Sequence, residues 1–444
     1  MKDRYFKTNL KNIFKSTFAV SVFSLLLRFF SMGKEIVFAV YFGVSDMLDA
    51  YLISVMIPVL ISDIFSNGFS SSVMVNYSSI KNQSGRKKAD EYFSNMIIVN
   101  FFFLSLLILI LYSTVKYYIP LFTHNYPLFK KEFVQVFLIY LIPLCFLNGF
   151  NNLFKHYFYI YKKFTVPSLI NIFTPLAIIL FVLFAGKKLD VYSAVWGIIS
   201  GSIFQFFVMY LFLLKNNFKL KFELKQIIPH FSTTTSNFLP LVIGASFSNL
   251  NLAVDNSMAT MLPAGSVSIL SYSSKIPALF NQLFAYSIST VLFPYFTNLY
   301  TDKNFSTLRK TFYYMIIISF LLGLFICLFV FYNSEFLINL LFNYGNFSAD
   351  NNLAEVSKVM RAYCFHTLFL LCGMICVKII ISMGKNFIIT FVGIQNFILN
   401  IYFNLRFLKY GPSGIAFSTT LVYMFSFGFL FIYTIIKLRE NEKN

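Results

Sequence analysis

Runs of about twenty apolar residues, each long enough to cross the ~30 Å hydrocarbon core of a bilayer as a helix, recur twelve times along this chain. They lie near residues 14–42, 47–79, 94–115, 133–158, 166–186, 191–214, 232–262, 266–299, 311–332, 359–382, 386–405 and 412–436. In hydrocarbon each backbone polar group must be satisfied inside its own segment or in a closed barrel, and runs of this length select helices. Only 12% of residues are charged, against about 25% in soluble domains. The expected fold is an all-α polytopic membrane protein.

Charge placement predicts how the helices are threaded. Lys and Arg near helix ends collect on the cytoplasmic side. With the N-terminus inside, the cytoplasmic segments hold 22 of the 36 cations and the outer segments hold nine. Both termini are therefore expected in the cytoplasm, in agreement with an even helix number. The basic head MKDRYFKTNLKNIFK precedes an apolar run too long for a cleaved signal, so the first helix is expected to stay. The net charge of +19 follows this topology and points to no nucleic-acid partner.

Residues 215–231, KNNFKLKFELKQIIPHF, form the longest cytoplasmic connection and read as an amphipathic piece lying in the anionic leaflet. They divide the chain into an N-terminal lobe, 1–214, and a C-terminal lobe, 232–444. The lobes also look alike. At an offset of 219 residues Ile57-Pro58 falls on Ile276-Pro277, Leu60 on Leu279, Phe65 on Phe284 and Ser70 on Ser289. Six helices per lobe give parallel repeats related by a pseudo-two-fold axis along the membrane normal, with a central cavity expected between them.

Several charges sit inside the apolar runs: Arg28, Lys34, Glu35, Asp49, Asp63, Asp255 and Lys275. On insertion scales each costs at least ~2.5 to 3.5 kcal/mol at membrane depth, so such residues are expected to pair or to face a polar pathway. Helical rise places Arg28 and Asp63 at similar depth on either side of the turn at Gly43 to Ser45, and Asp255 and Lys275 at a common depth around Pro263 to Gly265. One reading makes these residues structural ion pairs. The other makes Arg28, Lys34 and Lys275 ligands for an anion, a role that suits the bidentate geometry of arginine toward phosphate. Lys155 and Lys378 read as cations snorkelling from helix ends, and His366 as a hydrogen-bonded interior histidine.

No phosphate-binding loop, dinucleotide fingerprint or HExxH occurs, and there is no hydrophilic domain to house an enzyme site. Neither enzyme activity nor a bound cofactor is expected. Drive would come from the membrane potential or a coupled ion. Cys145, Cys327, Cys364, Cys372 and Cys376 lie in apolar runs without metal spacing and read as small buried hydrophobes.

The series Arg28, Lys34-Glu35, Phe42-Gly43, Asp49-Ala50, Ile57-Pro58, Ile64-Phe65 and Gly68-Phe69 resembles the first two helices of the MurJ/MviN-type flippases. Asp255, Gly265-Ser266-Val267, Leu270, Tyr272, Lys275 and Val291 to Pro294 look like their seventh and eighth helices. The resemblance implies a monomeric carrier in the bacterial cytoplasmic membrane that moves an undecaprenyl-diphosphate-linked saccharide by alternating access. In it Arg28, Lys34 and Lys275 would contact the diphosphate, and Asp49 would belong to the outer gate or lock the hairpin. Glu35, Asp63 and Asp255 would serve gating or ion pairing. The chain departs from the pattern at Ser62-Asp63, where the family tends to have an Arg pair, at Asn67 and Ala278, where it has Glu, and in having Lys at 34 and 275. The saccharide is thus either the peptidoglycan precursor lipid II or a related polysaccharide unit. Two alternatives are a cation-coupled multidrug exporter of the same superfamily and a non-transporting membrane scaffold.

Overall fold

The computed structural model describes residues 2–161, 163–216, 218, 220–221, 250–349 and 352–443. Among these residues there is no strand. In chain order the helices are α1 (Lys2–Phe42), α2 (Asp46–Phe122), α3 (Leu128–Leu141), α4 (Leu144–Ile160), α5 (Thr165–Ile170), α6 (Phe173–Leu189) and α7 (Tyr192–Lys215). They continue with α8 (residues 250–259), α9 (Ser266–Thr301), α10 (Phe305–Tyr332), α11 (Ser334–Phe342), α12 (Asn346–Ala349), α13 (Leu353–Ser382), α14 (Asn386–Phe407) and α15 (Pro412–Lys443).

Eleven of the twelve expected runs fall on described helix, and the seventh has its end on α8. Its beginning, with Pro240 and Gly244, and most of the 215–231 connection lie outside the described residues. By length and composition seven described helices can cross a membrane, or eight if the bent pair α3 and α4 counts as one span. That pair turns by 41° across Ile142 and Pro143. Large apolar side chains such as Phe29, Phe102, Phe184 and Phe325 point outward from the helices, as a hydrocarbon solvent permits and water does not. The chain is an all-α polytopic membrane protein.

The second and third runs differ from the expected helix, loop, helix. Helix α2 carries on through the polar stretch between them and departs from helical geometry at Gly85, with φ 84° and ψ 171°. Only glycine adopts that backbone without strain. One residue thus makes the break that the sequence assigns to a whole loop.

The chain forms two compact units. One comprises Met1–Phe42, Ala50–Leu121 and Pro127–Asn249; the other comprises Gly43–Asp49, Phe122–Tyr126 and Leu250–Asn444. In the first unit an aromatic core gathers Tyr77, Phe93, Phe154, Tyr157 and Phe218. Phe218 meets Phe93 and Tyr157 edge-on, 5.5 Å from each, and the Lys221 N–H donates to Ser94 Oγ at 3.1 Å. The described start of the connection is therefore folded onto this unit. Helices α6 and α7 approach closely because Gly197 and Gly201, four apart, put bare backbone against Ile178 and Thr174. The second unit packs Phe312, Ile375, Cys376, Ile379 and Leu430 into its own core.

The sequence repeat is visible as the same hydrogen bonds made twice. Ser54 Oγ donates to Ala50 O at 2.7 Å and to Val134 O at 3.1 Å; Ser273 Oγ donates to Ile269 O at 2.7 Å and to Val356 O at 2.9 Å. Each serine stands four residues before the repeated proline, Pro58 or Pro277. The missing proline N–H opens the helix at that turn, and the hydroxyl ties the turn to a neighbouring helix, α3 in one unit and α13 in the other.

Candidate functional site

The first charged group lies on α1. Glu35, Phe38, Ala39 and Phe42 repeat at helical spacing and form its buried face. Phe38 meets Tyr51 edge-on at 5.7 Å, and a Cβ at Gly33 would stand 3.5 Å from Ile179 Cδ1 on α6. Glu35 on this face draws in its sequence neighbour: Lys34 Nζ lies 2.9 Å from Glu35 Oε1 and 5.1 Å above the Phe38 ring. Arg28 is half-buried, two turns earlier on the same helix.

Asp63, on α2, is half-buried near Lys155 of α4, and each feels the other's charge. Lys155 Nζ also donates to Asn152 Oδ1 at 3.1 Å. Lys155, expected to snorkel from a helix end, is half-buried and close enough to Asp63 for their charges to interact, whereas helical rise suggests Arg28. Counting residues from a turn compares depths but ignores which helices are neighbours, and α4 was not in the count.

In the second unit Asp49 is fully buried. Its Oδ2 accepts from the Gly265 N–H at 2.9 Å, and its Oδ1 accepts from the Ser268 N–H at 2.7 Å and from Ser268 Oγ. The carboxylate therefore caps the N-terminus of α9, where orphan N–H groups and the helix dipole favour an anion. Around it Tyr272 Oη donates to Gly43 O at 3.0 Å, the His124 N–H donates to Thr260 Oγ1 at 3.1 Å, and Asn125 Nδ2 donates to Met261 O at 3.2 Å. Lys275, two turns beyond Ser268 on α9, is half-buried.

Asp255, on α8, is held by neutral donors. Its Oδ1 accepts from Asn400 Nδ2 at 2.9 Å and Asn404 Nδ2 at 2.6 Å, and its Oδ2 accepts from Thr419 Oγ1 at 3.2 Å. Helical rise puts Asp255 at the depth of Lys275, but its bonds run to α14 and α15. The carboxylate, amide and hydroxyl oxygens of this cluster are the kind of hard ligands that suit a small cation. Among the described residues no group of three or more His, Cys, Asp or Glu could hold a metal ion. Nearby, His366 Nδ1 lies 2.8 Å from Tyr363 O and Nε2 lies 3.0 Å from Asn281 Nδ2. That places the proton on Nδ1, the hydrogen-bonded interior histidine expected.

A family model described as lipid II flippase MurJ matches residues 38–443. The chain belongs to the MurJ family. It is 24% identical over 427 residues to the "Probable lipid II flippase MurJ" of Buchnera aphidicola subsp. Baizongia pistaciae, covering 92% of this chain and 81% of that protein. A structure of lipid II flippase MurJ in an inward closed conformation superposes with TM-score 0.79 and 23% identity, covering 94% of this chain and 89% of that one. An inward-facing multidrug resistance MATE transporter of the MOP superfamily superposes with TM-score 0.80 at 14% identity, covering 94% and 95%. At these identities the two superpositions speak for the fold alone.

Asp49, Asp63, Asp255 and Lys275 of this MurJ-family chain lie inside the matched span, whereas Arg28, Lys34 and Glu35 precede it. Sequence reading missed the Lys155 partner of Asp63 and the Asn400, Asn404 and Thr419 shell of Asp255. The asparagines offered one signal, two amides one turn apart on an apolar helix. Lys130, which lies among the outer-segment cations of the charge count, is fully buried on α3.

Proposed function

We propose that this chain moves an undecaprenyl-diphosphate-linked saccharide, the peptidoglycan precursor lipid II or a closely related unit, across the bacterial cytoplasmic membrane by alternating access. The observation that carries this reading is the MurJ family match over residues 38–443. It is a transport role with no bond-making step, so no residue is assigned to catalysis.

Arg28, Lys34 and Lys275 are the proposed diphosphate ligands. All three are half-buried cations on long apolar helices. Lys34 already rests on a carboxylate at 2.9 Å, and a diphosphate would take the place of Glu35 as its counter-charge. Asp49 is the structural lock at the start of α9. Asp63 and Lys155 are interior groups of opposite charge near each other, and Asp255, ringed by the amides of Asn400 and Asn404 and the Thr419 hydroxyl, is the proposed place for a coupling cation, one of the two sources of drive that suit a carrier. We further assign residues 1–214 and 232–444 to two lobes joined by 215–231, place both termini in the cytoplasm, and take the working unit as a monomer surrounded by membrane lipid.

Depletion of the protein in its own cell tests the substrate. Accumulation of lipid II supports the reading, and accumulation of another diphosphate-linked saccharide shifts it to that unit. Unchanged lipid-linked pools combined with sensitivity to cationic drugs would replace it with the multidrug exporter.

A further inference from the structure

Two of the five cysteines face each other. Cys327 on α10 and Cys364 on α13 are both fully buried, with their sulfurs 3.4 Å apart. The helices run antiparallel here, and the register shows why the thiols meet. Four residues back on α10 and four forward on α13, Gly323 lies against Leu368; a Cβ at Gly323 would stand 2.9 Å from Leu368 Cα. Four residues on along α10, Phe331 meets Phe365 at 5.8 Å, with the Arg361 guanidinium 6.0 Å from the Phe331 ring. The bare backbone at Gly323 lets the helices close, and the next turn along brings the two sulfurs into contact.

The protons can be followed as well. Cys364 Sγ lies 3.0 Å from Arg361 O, so its single S–H is directed to that carbonyl and the Cys327 S–H to the Cys364 sulfur. When Cys327 is deprotonated, Cys364 can turn its S–H toward the thiolate. A disulfide needs sulfurs ~2.05 Å apart, a closure of about 1.4 Å between side chains that already touch. Cys327 is close to the C-terminal end of α10, and Cys364 lies in the first half of α13. Cys327 is five residues from the end of α10 at Tyr332, and Cys364 is one turn past Arg361, which pairs with Glu335 at 2.7 Å.

We propose that Cys327 and Cys364 are an oxidisable pair, joined by a peroxide into a covalent staple between α10 and α13. The Cys327 thiolate attacks one oxygen of hydrogen peroxide, gives a sulfenic acid and releases hydroxide, which takes up the thiol proton as water. The Cys364 thiol then attacks the sulfenic sulfur, the S–S bond forms, and a second water leaves. Two thiols and one peroxide become one disulfide and two waters. Burial makes the first step slow and favours a small neutral oxidant such as hydrogen peroxide. On the topology proposed above this end of α10 faces the outer side, where disulfides persist; the chemistry itself does not depend on that orientation. Cys145, on α4, and the same-helix pair Cys372 and Cys376 have no such partner geometry and remain thiols.

Hydrogen peroxide treatment of the purified full-length chain in detergent, followed by non-reducing digestion and mass spectrometry, tests the pair directly. The expected product is a Cys327–Cys364 cross-linked peptide two hydrogens lighter than the separate thiol peptides, together with a melting temperature several degrees higher that thiol reductant reverses. Cys364→Ser should leave Cys327 as a sulfenic acid trapped by dimedone, and Cys327→Ser should give no cross-link. Recovery of both wild-type cysteines as unlinked thiols or separately oxidised acids, or cross-linked to other cysteines, overturns the proposal. Translocation assays test the transport reading independently of this outcome.

Discussion

At Asp49 a buried carboxylate is held by the first turn of α9, which supplies two N–H groups and a hydroxyl. A hydrogen bond to a charged group contributes ~1.5 to 3 kcal/mol, and removing one partner leaves the others unsatisfied. Asp49→Ala should therefore lower stability by about 2 to 4 kcal/mol, measured as a fall in melting temperature, while Asp49→Asn, which keeps one acceptor, should lose less. Equal melting temperatures for both variants and the parent would mean that the cap contributes nothing. Single residues are also where sequence reading was weakest. The charges themselves stood out against the apolar runs, but their partners are 92 residues away for Asp63 and 145 to 164 away for Asp255. Hydropathy and spacing carry no information across such distances.

Among the elements, glycines decide both where α2 breaks and how closely helices pack. Gly85 has positive φ and open space where a side chain would be, so its cost on substitution is purely conformational. Gly197 has ordinary helical geometry, and a Cβ there would meet Ile178 Cα at 2.7 Å, so its cost is steric. Gly85→Ala should destabilise by ~1 to 3 kcal/mol through backbone strain. Gly197→Leu should cost a similar ~1 to 3 kcal/mol by pushing α6 from α7. Thermal melts read both. An unchanged melting temperature for either variant would contradict the cost assigned to it. The helices were legible from apolar runs of about twenty residues. The break at Gly85 was not, because a polar stretch can be either a loop or an exposed helix, and composition does not tell the two apart.

For the whole molecule, the repeat was legible because proline leaves a lasting mark on a helix: Pro58 and Pro277 recur at an offset of 219, and the serine four residues before each makes the same pair of hydrogen bonds. The resemblance of the first hairpin to MurJ/MviN-type flippases led to the family that the match over residues 38–443 establishes. What remains specific to this chain is the cation set, with lysines at 34 and 275 and arginine at 28. Purified protein in vesicles carrying lipid II, assayed for lipid II exposed on the opposite leaflet, tests the central claim most directly. The parent should translocate it, and Arg28→Glu should abolish translocation while leaving the melting temperature within a few degrees. No translocation by the folded parent, or undiminished translocation by Arg28→Glu, would contradict the account.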